Sequence, residues 1–247
     1  KYDTLLRMEQ TQKQSIRSSL PFLAAFLVMG AALVWRCRYG FDWSDETYYT
    51  ALTYRLALGS RLFSDMWEIH QLSALPFLPL MRLFLLFSDG STDGMILFFR
   101  TAFCVFQTLC AICAFFLLKK RYAPLASFLA SGLVLMFAHF ALSNFSYDTM
   151  PVLLLFLSVA LLSGADSDRA RALFALSGAC YALAVQCYPQ LVVTLPVYAV
   201  YFALRARRGR LFAGAPPLRP AKGPRALWKP REKCSLLAGF SKGVSSF

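Results

Sequence analysis

The feature that most constrains this chain is a run of 24 residues, Met95–Leu118, that carries a single charge, Arg100. A helix of that length covers the roughly 30 Å hydrocarbon core of a bilayer. Five further apolar runs accompany it: Leu20–Trp35, Leu72–Phe87, Pro124–Leu142, Met150–Ser163 and Leu173–Leu204. Of the 247 residues, 57% are hydrophobic and 16% charged, against roughly 45–50% and about 25% in soluble domains. The 23 Phe argue against disorder, because disordered chains are poor in aromatics. The pattern predicts an all-α integral membrane protein with room for one helical bundle.

Charge then sets the sides. The net charge is +13, but Arg205–Phe247 holds eleven Lys or Arg against the single acid Glu232. A nucleic-acid binder interleaves its basic residues with a folded surface; here the excess follows an apolar run, so no nucleic-acid partner is expected. Basic residues beside spans mark the cytoplasmic side. The clusters Lys119–Arg121, Arg169/Arg171 and Arg205–Arg210 all fall inside if Leu72–Phe87 lies at the interface instead of crossing. That run is short, holds Pro76 and Pro79, and carries Arg82, which suits an interfacial helix.

The 32-residue run Leu173–Leu204 is too long for one span and is broken at Pro189, into Leu173–Gln186 and Leu191–Leu204. About six spans result. Residues 1–19 form a cytoplasmic N-terminus, and 20–204 the membrane module. Loops 36–94 and 143–149 lie outside, and 205–247 form a basic, Pro-rich tail without periodicity. The absence of an initial Met and the unpatterned tail read as a partial or frame-disrupted product.

The seven Cys fall mostly in apolar runs, where a free thiol packs as a small hydrophobe. Cys110 and Cys113 form C-x-x-C without a second pair or a nearby His, so packing is the expected role over zinc. The odd count argues against a disulfide framework.

The long external loop carries most of the chemistry. In Phe41–Tyr49, Ser44 or Asp45 can cap a helix reaching about Leu58, with Glu46 favoured in its first turn and Gly59 as its stop. Asp42, Asp45 and Glu46 then gather at the helix start, and Leu52, Leu56, Tyr48 and Tyr49 can face the membrane. The plainer role of these acids is capping and solvation. Glu68 and His70, two apart, suit a shared metal only on an extended segment; otherwise they make an ordinary ion pair. His139 suits packing between helices. Arg100 lies inside a span, where a charge is a functional hypothesis with snorkelling as the alternative. Asp148 stands at the mouth of the bundle in a loop that also spells an N-x-S triplet at Asn144, to which no role is given.

Asp45-Glu46-Thr47-x-Tyr49, followed by a helix and Arg55-x-x-x-x-Gly59, resembles the first external loop of GT-C-fold membrane glycosyltransferases. The nearest groups are the lipid A aminoarabinose transferases and the protein-mannosyltransferase-like bacterial enzymes. Glu68-x-His70, the interfacial helix, Arg100 and Asp148 follow in the family's order, over about residues 15–205. The resemblance implies transfer of a sugar from a polyprenyl-phosphate donor to a glycan, lipid or protein acceptor at the outer face of the plasma membrane. It implies Asp45 as general base, with Glu46 orienting it or the acceptor. Arg100 would pair with the carrier phosphate, Glu68 would hold a divalent cation used by some members, and His70 would be a weaker ligand at that place. Asp148 would help bind substrate or metal. Family members carry further spans and often a C-terminal external domain.

Two rivals remain. A carrier-lipid transporter, or half of one, would place ionisable residues near mid-membrane on broken helices, whereas the acids here sit in external loops. A structural subunit or inactive remnant would tolerate joint loss of Asp45, Glu68 and Asp148.

Overall fold

The computed structural model describes residues 18–40, 46–137, 143–165, 170–201 and 203–204. Every element named here lies in one compact unit ending at Ala203. In chain order they are α1 (Leu20–Arg36), α2 (Glu46–Ala57), a 3-10 turn (Gln71–Phe77) continuing into α3 (Leu78–Phe87), α4 (Met95–Leu118), α5 (Pro124–Met136), α6 (Thr149–Ser163), α7 (Ala170–Cys187) and a second 3-10 turn (Pro189–Thr194). Helical residues continue over 195–201. Among the described residues there is no strand, only an isolated bridge between Leu62 and Met66. The chain is all-α.

The 24-residue α4 is the central helix and packs against α1, α5 and α6. Phe99, Phe103, Ala111, Ala114 and Phe115 face those neighbours, while Val105 and Leu109 are turned outward and exposed. Among the described residues α4 is the one helix long and apolar enough to cross a membrane. The helices over the other expected spans are shorter: 17 residues for α1, 13 for α5, 15 for α6 and 18 for α7.

The shortening of α5 has a visible cause. Phe137 turns extended, and the Gln107 amide donates to the carbonyls of Val134 and Phe137 at 2.9 and 3.0 Å. A side chain from α4 thus satisfies acceptors that a helix end leaves open. His139 lies outside the described residues.

Helices α1 and α4 run antiparallel at close quarters. A Cβ on Gly30 would come within 2.6 Å of Thr108 Oγ1, which itself donates to the Cys104 carbonyl at 2.7 Å. At one end of the pair the Lys119 ammonium donates to Ser19 Oγ at 2.7 Å and lies 4.6 Å from the Phe116 ring centre. At the other end the α1 C-terminus meets the α4 N-terminus, where the long loop departs and returns. Helices α6 and α7 are joined by buried hydroxyls. Ser158 and Ser177 donate to each other's carbonyls at 2.8 Å, and Tyr198 Oη lies 2.7 and 2.6 Å from the two Oγ atoms.

Within the loop, α2 ends at Ala57 and Gly59 adopts φ +98°, the left-handed stop expected of it. Leu72–Phe87 is not one helix. A 3-10 turn containing Pro76 leads into α3, which has Pro79 in its first turn. Each proline lacks the N–H that a continuous helix needs there. The expected outward face of α2 is corrected as well. Tyr49 and Leu52 are buried against Met66 and Ala74, and only Tyr48 of the two tyrosines stays exposed. Their ring and branched chain cover the loop's own small core. The break at Pro189 follows the expected place, with Tyr188 leaving the helical region just before it.

Candidate functional site

One end of the bundle gathers the segment after α1, helix α2, the N-terminal turns of α4 and α6, and the chain around Tyr188. Two polar groupings occupy it.

The first is built on Glu46, the opening residue of α2, which is 2% exposed. Its carboxylate accepts from both Nε and Nη2 of Arg100, a two-pronged ion pair between residues 54 apart. Arg100 Nη1 donates to the carbonyls of Cys37 and Gly40, each at 2.9 Å. A guanidinium has five N–H groups, so these bonds leave at most one uncommitted. The pairing needs no water and brings full charge compensation to a site where a lone carboxylate would be costly.

Asn144 completes this grouping. It is 1% exposed, donates from Nδ2 to Thr50 Oγ1 at 2.9 Å and to the Glu46 carbonyl at 3.3 Å, and accepts from the Phe145 N–H at 2.8 Å. Asn144 therefore ties the 143–148 loop to α2, and the sequence offered only the N-x-S spelling as a signal. Ser146 Oγ, not Asp148, caps α6 by accepting from the N–H groups of Asp148 and Thr149 at 3.2 and 3.1 Å.

Two thiols adjoin the same pair. Cys37, just past α1, and Cys104, one turn beyond Arg100 on α4, hold their sulfurs 3.1 Å apart. The hydrogen bond from Cys104 pulls the Cys37 thiol down, burial opposes that, and the Arg100 charge adds to it. Its pKa drops from 9.0 to about 7. A cavity of about 450 Å³ between the segment after α1 and the N-terminal turns of α4 is lined by Cys37, Arg38, Met95, Leu97 and Arg100.

The second grouping is built on His70, which sets up the first 3-10 turn. Its ring stacks on Tyr147 (centres 4.1 Å apart, planes 19°) and lies nearly parallel to Tyr188 (5.4 Å, 4°). Tyr49 packs on Tyr147 in turn, linking the two groupings through α2. Glu68 folds back on this turn: Oε2 accepts the His70 N–H at 2.5 Å and Oε1 lies 3.4 Å from Nδ1. His70 Nε2 is buried and has no hydrogen-bond partner among the described residues. Asp148 lines a neighbouring cavity of about 220 Å³ with Tyr147, Pro151, Val152, Tyr188 and Leu191.

Of the residues singled out in the sequence, Glu46 and Arg100 meet each other, and Glu68 and His70 meet each other. Asp148 joins the tyrosines that flank His70. Asp45 and Asp42 lie outside the described residues. Glu68 and His70 are not on an extended segment, and among the described residues no third His, Cys, Asp or Glu completes a metal-holding group. Cys110 is buried and Cys113 exposed, with no metal cluster around them among the described residues.

No protein family, curated protein or solved structure matches this chain.

Proposed function

We propose that this chain is a multi-pass plasma-membrane glycosyltransferase, moving a sugar from a polyprenyl-phosphate carrier to an acceptor at the outer face. The observation that carries this proposal is the convergence of the α2 start, the His70 turn and the 143–148 loop at one end of the bundle. The membrane setting is supported by α4 and by large apolar side chains exposed on several helices, among them Val28, Leu86, Leu109 and Leu133. Loops 36–94 and 143–149 then lie outside, with the N-terminus and Lys119–Arg121 in the cytoplasm.

Asp45 takes the acceptor's proton as that oxygen attacks the anomeric carbon, and the sugar–phosphate bond breaks with its electron pair leaving on the carrier phosphate. Help of this kind is typically worth about 10²–10⁴ in rate. Glu46 and Arg100 hold the chain next to Asp45 against α4, and Arg100 reaches the phosphate only as Glu46 releases it. Asp148, with Tyr147 and Tyr188, receives the sugar: a carboxylate accepts its hydroxyls, and tyrosine rings offer an apolar face with a polar edge.

One observation favours a second possibility. Glu46 and Glu68 are both engaged inside the protein, as in a membrane protein whose loop acids only build structure. The test separates the two. The full chain in lipid nanodiscs is incubated with a panel of polyprenyl-phosphate hexoses and pentoses, and release of free polyprenyl phosphate is measured. Release with at least one donor, and loss of at least about 100-fold in Asp45→Asn with carrier binding retained, is the expected result. No release with any donor leaves the structural alternative; an unchanged Asp45→Asn rate removes Asp45 from the mechanism.

A further inference from the structure

We infer that Cys37 and Cys104 form a reversible disulfide site that clamps α1 to α4 beside the Glu46–Arg100 pair. The two residues are 67 apart in sequence, yet their sulfurs lie 3.1 Å from each other and both are buried. Their backbones are fixed relative to one another from two directions. Arg100 Nη1 donates to the Cys37 carbonyl at 2.9 Å, and Cys37 Sγ lies 3.8 Å from the Arg100 carbonyl. The close α1–α4 approach at Gly30 holds the same register two turns away. The two sulfurs need approach by only about 1 Å to reach disulfide length.

Chemical direction comes from the surroundings. Cys37 forms part of the wall of the 450 Å³ cavity, whereas Cys104 does not, so an entering reagent meets Cys37 first. The charged and titratable groups around Cys37 are Cys104, Arg100, Glu46 and Arg36, and Arg100 and the Cys104 hydrogen bond favour its thiolate. Thiolate is the attacking form. The four other described cysteines lack this arrangement: Cys110, Cys180 and Cys187 are buried within helices, and Cys113 is exposed. Cys234 lies outside the described residues.

The oxidant is a small disulfide. The Cys37 thiolate attacks one of its sulfurs, the S–S bond breaks, and one thiolate leaves, giving a mixed disulfide on Cys37. Cys104 then loses its proton and attacks Cys37 Sγ, forming the Sγ–Sγ bond and expelling the second thiolate. Two protein thiols lose two electrons and two protons, and the small disulfide becomes two thiols.

The experiment uses the full chain in nanodiscs and glutathione disulfide as the probe, followed by denaturing alkylation and peptide mapping. Seven cysteines are alkylated in the reduced chain. After oxidation two alkylations should be lost, the intact mass should fall by two hydrogens, and a single Cys37–Cys104 cross-linked peptide should appear, all reversed by dithiothreitol. In Cys104→Ser, glutathione should remain attached to Cys37, because the second thiol is missing. Seven alkylations after treatment, cross-links only between other cysteines, or a lasting glutathione adduct on native Cys37 would each overturn the inference. The readout involves no sugar transfer, so it stands or falls independently of the proposed enzyme activity.

Discussion

The two polar groupings at the site end, each bordered by a cavity, differ in one respect, the closure of their hydrogen bonding. Around Glu46 the buried carboxylate is paired with the partly buried guanidinium, and the buried Asn144 amide bonds to Thr50 and to the Glu46 backbone carbonyl. Around His70 the groups are partly buried, and Nε2 has no hydrogen-bond partner among the described residues. Closure of the first kind defines a position, because removing any member leaves a buried charge or dipole behind. Openness of the second kind leaves room for a ligand. Charge in a predicted span therefore does not by itself mark where a substrate sits: Arg100 belongs to the closed grouping, and Asp148 to the open one.

The contrast can be broken most sharply at Arg100. Arg100→Leu strands Glu46 as a lone buried charge and should cost about 3–5 kcal/mol, read as a lower unfolding midpoint in detergent. Retained stability would mean that Glu46 reaches water and that the grouping is not closed. Asn144→Ala should cost about 1–3 kcal/mol by leaving the buried Phe145 N–H without its acceptor and Thr50 Oγ1 without its donor, measured the same way.

Titration tests the neighbouring thiol. The folded pKa of Cys37, about 7, is below its ordinary 9.0. Its contribution to stability is therefore complete above pH 9 and is lost as pH falls through 7. Its alkylation rate at the cavity should rise about tenfold per pH unit up to 7 and level off above. In Cys104→Ala, which removes the donor, the plateau should move to higher pH, and an unmoved profile would show that the hydrogen bond is not its cause.

The smallest stability effects belong to the open grouping. His70→Phe keeps a ring against Tyr147 and Tyr188, and Asp148→Asn keeps the shape of the cavity. Each should change stability by no more than about 0.5 kcal/mol, while weakening retention of the sugar-bearing carrier in a nanodisc pull-down. Large destabilisation by either would place both groupings in the same structural class.

Much of the helical plan was legible along the chain. Met95–Leu118 forms a helix over that same range, Gly59 ends α2, and Pro189 breaks the last run, because apolar runs, left-handed glycines and missing N–H groups act within a few residues. Local pattern did not give the true length of α5, since the bond from Gln107 arrives from another helix. It also misjudged Tyr49 and Leu52, whose partners Met66 and Ala74 are brought beside α2 by the fold of the loop.

The candidate site was legible in kind but not in pairing. The sequence marked Glu46, Glu68, His70, Arg100 and Asp148 as polar residues set in or beside apolar surroundings. It did not mark Asn144, and it treated Cys37 and Cys104 as two thiols among seven. Composition and local spacing determined that the chain is helical and apolar, because hydrogen bonding within a helix and the burial of its faces depend on near neighbours. Which polar atoms face each other was decided only by packing α1, α2, α4 and α6 at one end. Those contacts join residues from 54 to 98 positions apart, and no local pattern encodes the direction from which a distant side chain arrives.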